Sequence, residues 1–214
     1  MNLLKQVKTL NDNTISLYGQ VENCGVLVIG VFHGDEPQGK FLIDEYLKEN
    51  TDSKILFISC LNPDGMALNR RTNSNNVDLN RNFPTKNWGE NKGENATCDD
   101  ETSNYYGGVS AGSEIETKFV IEVIKEYSPK IILTLHSPYK VVNYDGPAKE
   151  IAEKISEIIK YPIEESIGYP TPGSFGTYSG MERKIPTITL ELDETCPVEE
   201  LISPVHKIFD MLSK

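Results

Sequence analysis

The chain has 214 residues, 38% of them hydrophobic and 25% charged, with a formal net charge of −11. That length and balance fit one globular domain with a real core. The acidic excess argues against non-specific binding to nucleic acid or anionic membrane, both of which are driven by lysine and arginine. No apolar run approaches the roughly 20 residues needed to cross a bilayer. The opening MNLLKQVKTLNDN turns polar too soon for a secretory leader. Cys24, Cys60, Cys98 and Cys196 form no CxxC pair, which predicts free thiols. Together these features lead us to expect a cytoplasmic protein.

In chain order, the first clear element is VLVIGVF at 26–32, a buried strand that stops abruptly at His33, Gly34, Asp35 and Glu36. Residues 37–49 carry Phe41, Leu42, Tyr46 and Leu47 at helical spacing, with Pro37 suited to a first turn. ILFISCL at 55–61 reads as a second buried strand. Residues 62–112, rich in Asn, Gly, Asp and Arg, have little periodicity. Ser113 and Glu116 read as a capping box for a helix over 113–127. IILTL at 131–135 is a third strand, ending at His136. A helix is predicted over 146–160 and a late strand, PTITLEL, over 186–192. A closing helix spans 197–212, which Pro204 should interrupt or kink. Between these lies GYPTPGSFGTYSG at 168–180, a second irregular stretch. Strands alternating with helices predict a single α/β domain over 1–214 with a largely parallel sheet.

Long irregular loops in compact domains are usually functional, and ligands of open α/β sheets bind beyond the carboxyl ends of strands. His33, His136 and the segment 62–80 all follow predicted strands and could share one rim. A catalytic zinc site uses three protein ligands of nitrogen, sulfur or carboxylate type. His33 and Glu36 in an HxxE turn, with His136, could supply them. The plainer alternatives are hydrogen-bonded structural histidines and an acid favoured by a helix N-terminus. His206, in the last helix, reads as packing or surface. Glu191 is an acid on an otherwise apolar strand; if it faces inward it needs a partner. Arg70, Arg71 and Arg81 concentrate positive charge in an acidic chain, as a solvated face or as an anion site.

The segments FHGDEPQG, LNPDGMALNRRTN, VDLNRNFP, YYGGVSAGSEIET, TLHSP, YPTPGSFGTYSG and ITLELDE occur in this order. Together they resemble the zinc metallocarboxypeptidases of the carboxypeptidase A superfamily, most closely the small bacterial branch of murein peptide amidases, over roughly residues 24–195. The resemblance implies a three-layer α/β/α sandwich around a mixed, largely parallel twisted sheet. It implies one Zn2+ per chain held by His33, Glu36 and His136, with Asp78 orienting the first histidine. Glu191 would be the general base and later the acid. Arg71 would polarise the scissile carbonyl, with Arg70 as the alternative. Asn80 and Arg81 would grip a substrate's terminal carboxylate. Tyr169, 22 residues before Glu191, would close over substrate, with Tyr178 as the alternative.

The implied reaction is hydrolysis of the bond between γ-D-glutamate and meso-diaminopimelate in a cytoplasmic murein tripeptide. The rival readings are a general carboxypeptidase, an N-acyl amino acid deacylase and a catalytically inactive peptide-binding module. The partner expected is a small peptide, not nucleic acid or membrane. Residues 87–104 are expected to form a partly ordered flap.

Overall fold

The computed structural model describes residues 1–20, 25–50, 53–89, 103–165 and 171–214. Among the described residues there are eight strands: β1 (Asn2–Lys8), β2 (Thr14–Gly19), β3 (Val26–Gly30), β4 (Ile55–Ile58), β5 (Ile131–His136), β6 (Tyr139–Asp145), β7 (Ile163–Glu164) and β8 (Thr187–Asp193). They form one sheet in the order β1-β2-β4-β3-β5-β8-β6-β7. The centre is parallel, β4 to β3 to β5 to β8. β1 and β2 join on one side as antiparallel strands. On the other side β6 runs antiparallel to β8, with the short β7 parallel to β6. The sheet is therefore mixed, as expected.

The central strands are legible as unbroken apolar runs because both of their faces are covered. Every residue of β3 and β4 is buried. On one face lie α1 (Gln38–Glu49), α4 (Lys149–Ile159) and α5 (Val198–Leu212). Their buried side chains, among them Leu42, Ile155 and Phe209, join Val28, Leu133 and Leu190 in one core. On the other face, α3 (Ile115–Tyr127) and the long loops pack against Leu27, Ile29 and Ile132. A short helix, α2 (Pro63–Ala67), follows β4. Three layers result.

The differences from the sequence reading have physical causes. β1, β2, β6 and β7 carry many polar residues, so they lack the apolar runs that marked the centre. The expected capping box does not form. α3 starts at Ile115, its N-cap Glu114 makes no side-chain cap, and Ser113 Oγ donates instead to the Glu114 carboxylate at 2.6 Å. Glu116 turns inward, where Asn73 donates to it at 3.3 Å. α5 runs through Pro204 as one continuous helix. Leu201 and Val205, on either side of the proline, are anchored in the core, and that packing outweighs one missing backbone hydrogen bond. The irregular stretches also hold short turns of helix, a 3-10 turn at Leu79–Arg81 and a π-helical turn at Thr177–Glu182. Residues 90–102 of the expected flap lie outside the described residues.

Candidate metal centre

β3 ends at Gly30, and the chain turns through Val31, whose φ is +55°. The backbone beyond β4 bonds to this turn, Leu61 N–H to Gly30 O at 3.0 Å and Asn62 N–H to Val31 O at 2.9 Å. Asn62 then ties three segments together. Its Oδ1 accepts from Gly65 N–H at 2.9 Å, and its Nδ2 donates to Phe32 O and to Arg71 O at 3.2 and 3.3 Å. Gly34 lies so close to this turn that a Cβ there would meet the Gly65 carbonyl carbon at 2.0 Å. The HGDE and NPDG segments are thus two halves of one packed corner, and the glycines let the two backbones touch.

The corner presents His33 and Glu36 to His136, the last residue of β5. Glu36 Oε1 lies 2.8 Å from His33 Nδ1, and Oε2 lies 3.0 Å from His136 Nδ1. The two Nδ1 atoms are 3.3 Å apart. All three side chains are buried, and their donor atoms lie within 4.8 Å of one another. The outer nitrogen of His33, Nε2, lies 3.2 Å from Asp78 Oδ1. Asp78 is itself fixed by Arg71, with Nε at 3.1 Å and Nη2 at 3.0 Å. Phe32 stacks on His136 at 5.3 Å. Burial and Arg71 both disfavour a charged His33, but Glu36 and Asp78 outweigh them and hold its pKa up at about 9. Burial alone would raise the pKa values of Glu36 and Asp78. The histidines beside Glu36, and Arg71 with His33 beside Asp78, hold both well below the usual carboxylate range. A tight knot of anionic and imidazole donors is what a divalent cation requires.

Glu191 is the direct partner of His136 in the β5–β8 register. Burial pushes its pKa above the usual glutamate value; His136 opposes this and Glu36 reinforces it. Its Oε2 is buried with no hydrogen-bond partner among the described residues. A cleft of about 220 Å³ opens over these groups. Arg71, Asn80 and Arg81 line the same cleft. Arg70 turns away, with Nη1 donating to Asn76 Oδ1 at 2.8 Å and Nη2 bonded to Asn73 O. Arg81 Nη1 donates to Asn80 O at 2.7 Å, and Asn80 Oδ1 accepts from Phe175 N–H at 2.8 Å.

Tyr105 also lines the cleft, its ring 5.3 Å from the Arg71 guanidinium and 5.6 Å from that of Arg81. The sequence reading gave it no role. Its only signal was a place in the quoted YYGGVSAG segment, because its neighbours are distant in sequence. Glu194 stands at the exposed mouth. Tyr178 is buried beside Phe83 with the Arg183 guanidinium over its ring, and it does not reach the cleft. Tyr169 lies outside the described residues. His206 packs against Tyr46 and Phe209 at 5.1 and 6.1 Å, far from the site, as expected.

Residues 14–204 match the zinc carboxypeptidase family. The chain belongs to that family. Several relatives are named murein peptide amidase A. The protein of Escherichia coli strain K12 is 34% identical over 159 residues, which cover 71% of this chain and 64% of the relative. That of Vibrio campbellii is 35% identical over 187 residues, covering 81% and 71%. The chain therefore spans less than two thirds of the first relative's length. The crystal structure of murein-tripeptide amidase MpaA from Escherichia coli O157 superposes with a TM-score of 0.82 at 25% identity, over 97% of this chain and 90% of that one. Carboxypeptidase A from Helicoverpa armigera superposes with a TM-score of 0.76 at 16% identity, over 99% and 69%, a likeness of fold. The family is a zinc family, and the donor set fits that metal, with two imidazoles, one carboxylate and, beside them, a buried acid one of whose oxygens has no partner among the described residues.

Proposed function

We propose that this zinc carboxypeptidase is an amidase that binds one zinc ion through His33, Glu36 and His136. We further propose that it removes meso-diaminopimelate from the γ-D-glutamyl bond of a murein tripeptide. The observation that carries the chemistry is Glu191 Oε2, buried beside the three candidate ligands and without a hydrogen-bond partner among the described residues. The names and likeness of the two amidase relatives and of MpaA support the substrate. When bound, zinc supplies Lewis acidity and brings the pKa of water towards about 7.

The protein's own groups do the rest. Glu191 takes a proton and returns it to the leaving amine. Arg71, held against Asp78, offers N–H groups to the carbonyl oxygen as charge develops there. Arg81 and Asn80 hold the α-carboxylate of the residue to be released. Asp78 orients His33, and Tyr169 closes over the bound peptide. A cytoplasmic setting accompanies this reading.

The test is mass spectrometry after incubation with L-Ala-γ-D-Glu-meso-diaminopimelate. Release of free diaminopimelate and the dipeptide is expected. Cleavage of ordinary peptides in its place would favour the general carboxypeptidase reading.

A further inference from the structure

The loop before α3 brings Tyr105 to the cleft. Ser103 organises its turn: Tyr105 N–H donates to Ser103 Oγ at 3.1 Å, and Tyr106 N–H donates to Ser103 O at 3.2 Å. The turn is stitched to the segment that carries Arg81, on both sides of that residue. Asp78 N–H donates to Tyr106 O at 2.8 Å, and Asn82 Nδ2 donates to Gly107 O at 2.8 Å. Gly108, at φ +89°, permits the close approach; a Cβ there would meet Asn82 Nδ2 at 2.7 Å. Tyr106 is buried, while Tyr105 is half-buried. The Tyr105 ring is therefore placed by the same backbone bonds that place Asp78 and Arg81.

The ring meets two cations. Its centroid lies 5.3 Å from Arg71 Cζ and 5.6 Å from Arg81 Cζ, both inside the roughly 6 Å over which an aromatic face attracts a guanidinium. The two arginines line one cleft of about 220 Å³, whose low-dielectric walls strengthen the repulsion between like charges. Asp78 offsets part of this. Its carboxylate is bonded to Arg71 through Nε and Nη2 and is also felt by Arg81, but it is shared with His33. A further carboxylate between the arginines would bind their N–H groups and repel an anionic substrate. A ring face attracts cations without a full negative charge and without a carboxylate's claim on those donors.

We propose that Tyr105 is a positioning residue for both arginines. Its ring face holds the Arg71 and Arg81 guanidinia apart at the spacing that lets the first meet the scissile carbonyl while the second meets the terminal carboxylate. The inference rests on the amidase roles given to those arginines above and deepens them. Loss of the face acts twice. At Arg81 it weakens the grip on the carboxylate of bound substrate, which raises KM. At Arg71 it weakens the response to charge developing on the carbonyl oxygen, which lowers kcat. The hydroxyl has no part in this, and a residue that only filled space would be indifferent to the charge of its face.

The experiment places phenylalanine, trifluorophenylalanine and pentafluorophenylalanine at position 105 of the zinc-loaded full chain, beside Tyr105→Leu. The three rings have nearly one shape, while fluorination drains the negative face and then reverses it. Steady-state kinetics use L-Ala-γ-D-Glu-meso-diaminopimelate. Calorimetry in the Glu191→Gln background measures binding of that peptide and of its analogue amidated at the leaving residue's α-carboxylate. From phenylalanine to pentafluorophenylalanine, kcat/KM should fall roughly tenfold to a hundredfold, shared between a higher KM and a lower kcat. Binding of the acid peptide should weaken roughly threefold to thirtyfold, and binding of the amidated peptide less than about twofold. Tyr105→Leu should match pentafluorophenylalanine. Melting temperature and zinc content should stay level along the fluorinated series, which carries the test whether or not Tyr105→Leu folds.

A flat series, with pentafluorophenylalanine as active as phenylalanine, overturns the proposal. So does a loss at Tyr105→Phe as large as that at Tyr105→Leu, which would assign the effect to the hydroxyl. Equal weakening of the acid and amidated peptides overturns it as well, because the ring would then act on the peptide and not through Arg81. Hydrolysis separates the two readings. Cleavage indifferent to fluorination removes the role of Tyr105 and leaves the amidase; graded binding of the acid peptide without cleavage keeps the ring at Arg81 and removes the amidase.

Discussion

His136 and Glu191 are direct partners on adjacent parallel strands. The third candidate metal ligand and the buried acid therefore share one rung of the sheet, and neither depends on a loop for its position. Geometry held by a sheet survives a change in side-chain charge. Glu191→Gln should accordingly keep the metal and the melting temperature and lose about 10²- to 10⁴-fold in kcat, the usual contribution of a general base. Zinc analysis, thermal melts and steady-state kinetics check this. Retention of more than a tenth of the activity would remove Glu191 from the chemistry.

That rung was legible in the sequence, since β5 and β8 are apolar runs ending near a His and an acid. The ligand turn was legible too, through the abrupt stop of β3 at His33. The flanking strands were not. β1 mixes exposed and half-buried residues at the sheet edge, with none buried, and β6 carries Lys140, Asn143 and Asp145 among its apolar positions. The capping box misled because Glu116 serves a tertiary contact with Asn73, which local spacing cannot reveal.

Metal binding should depend on His136 directly and on Asp78 through His33. Purified protein should carry near-stoichiometric zinc, and His136→Ala should lose it. Asp78→Asn keeps the shape but weakens the acceptor that orients His33, so zinc affinity should fall roughly 10- to 100-fold. Competition with a chelator measures both. Equal zinc content in the wild type and His136→Ala would remove the assignment.

Glu116 gives stability a pH dependence separate from catalysis. Burial, with Glu114 and Asp64 nearby, pushes its pKa up to about 7, while Asn73 opposes the shift. Because the folded value is raised, the stabilisation is complete below the ordinary value of 4.5 and is lost as pH rises through about 7. Glu116→Gln cannot ionise and should escape the loss. Between pH 5 and 8 the wild type should lose on the order of 2–3 kcal/mol relative to the variant. Urea unfolding at several pH values checks this, and parallel stability curves for the two proteins would contradict it.

Arg81 offers the sharpest test of how the substrate is held. It is almost wholly buried, lines the cleft and is steadied by Asn80 O and the ring of Tyr105. A guanidinium so fixed loses little further freedom when it grips a carboxylate, and the contact is charge-assisted, roughly twice as strong as a neutral hydrogen bond. Removing either partner also strands the other's charge in the cleft, a penalty larger than the contact itself. Arg81→Ala and amidation of the substrate's α-carboxylate should therefore each cut kcat/KM severely. Combined, they should cost little more than either alone, because both remove the same interaction. Arg81→Lys should restore activity only in part, since a point charge cannot reproduce the planar fork. Steady-state kinetics on the four enzyme–substrate combinations closes the cycle. Fully additive losses would mean that Arg81 and the carboxylate do not meet, and the cleft would then have to bind its peptide in another orientation.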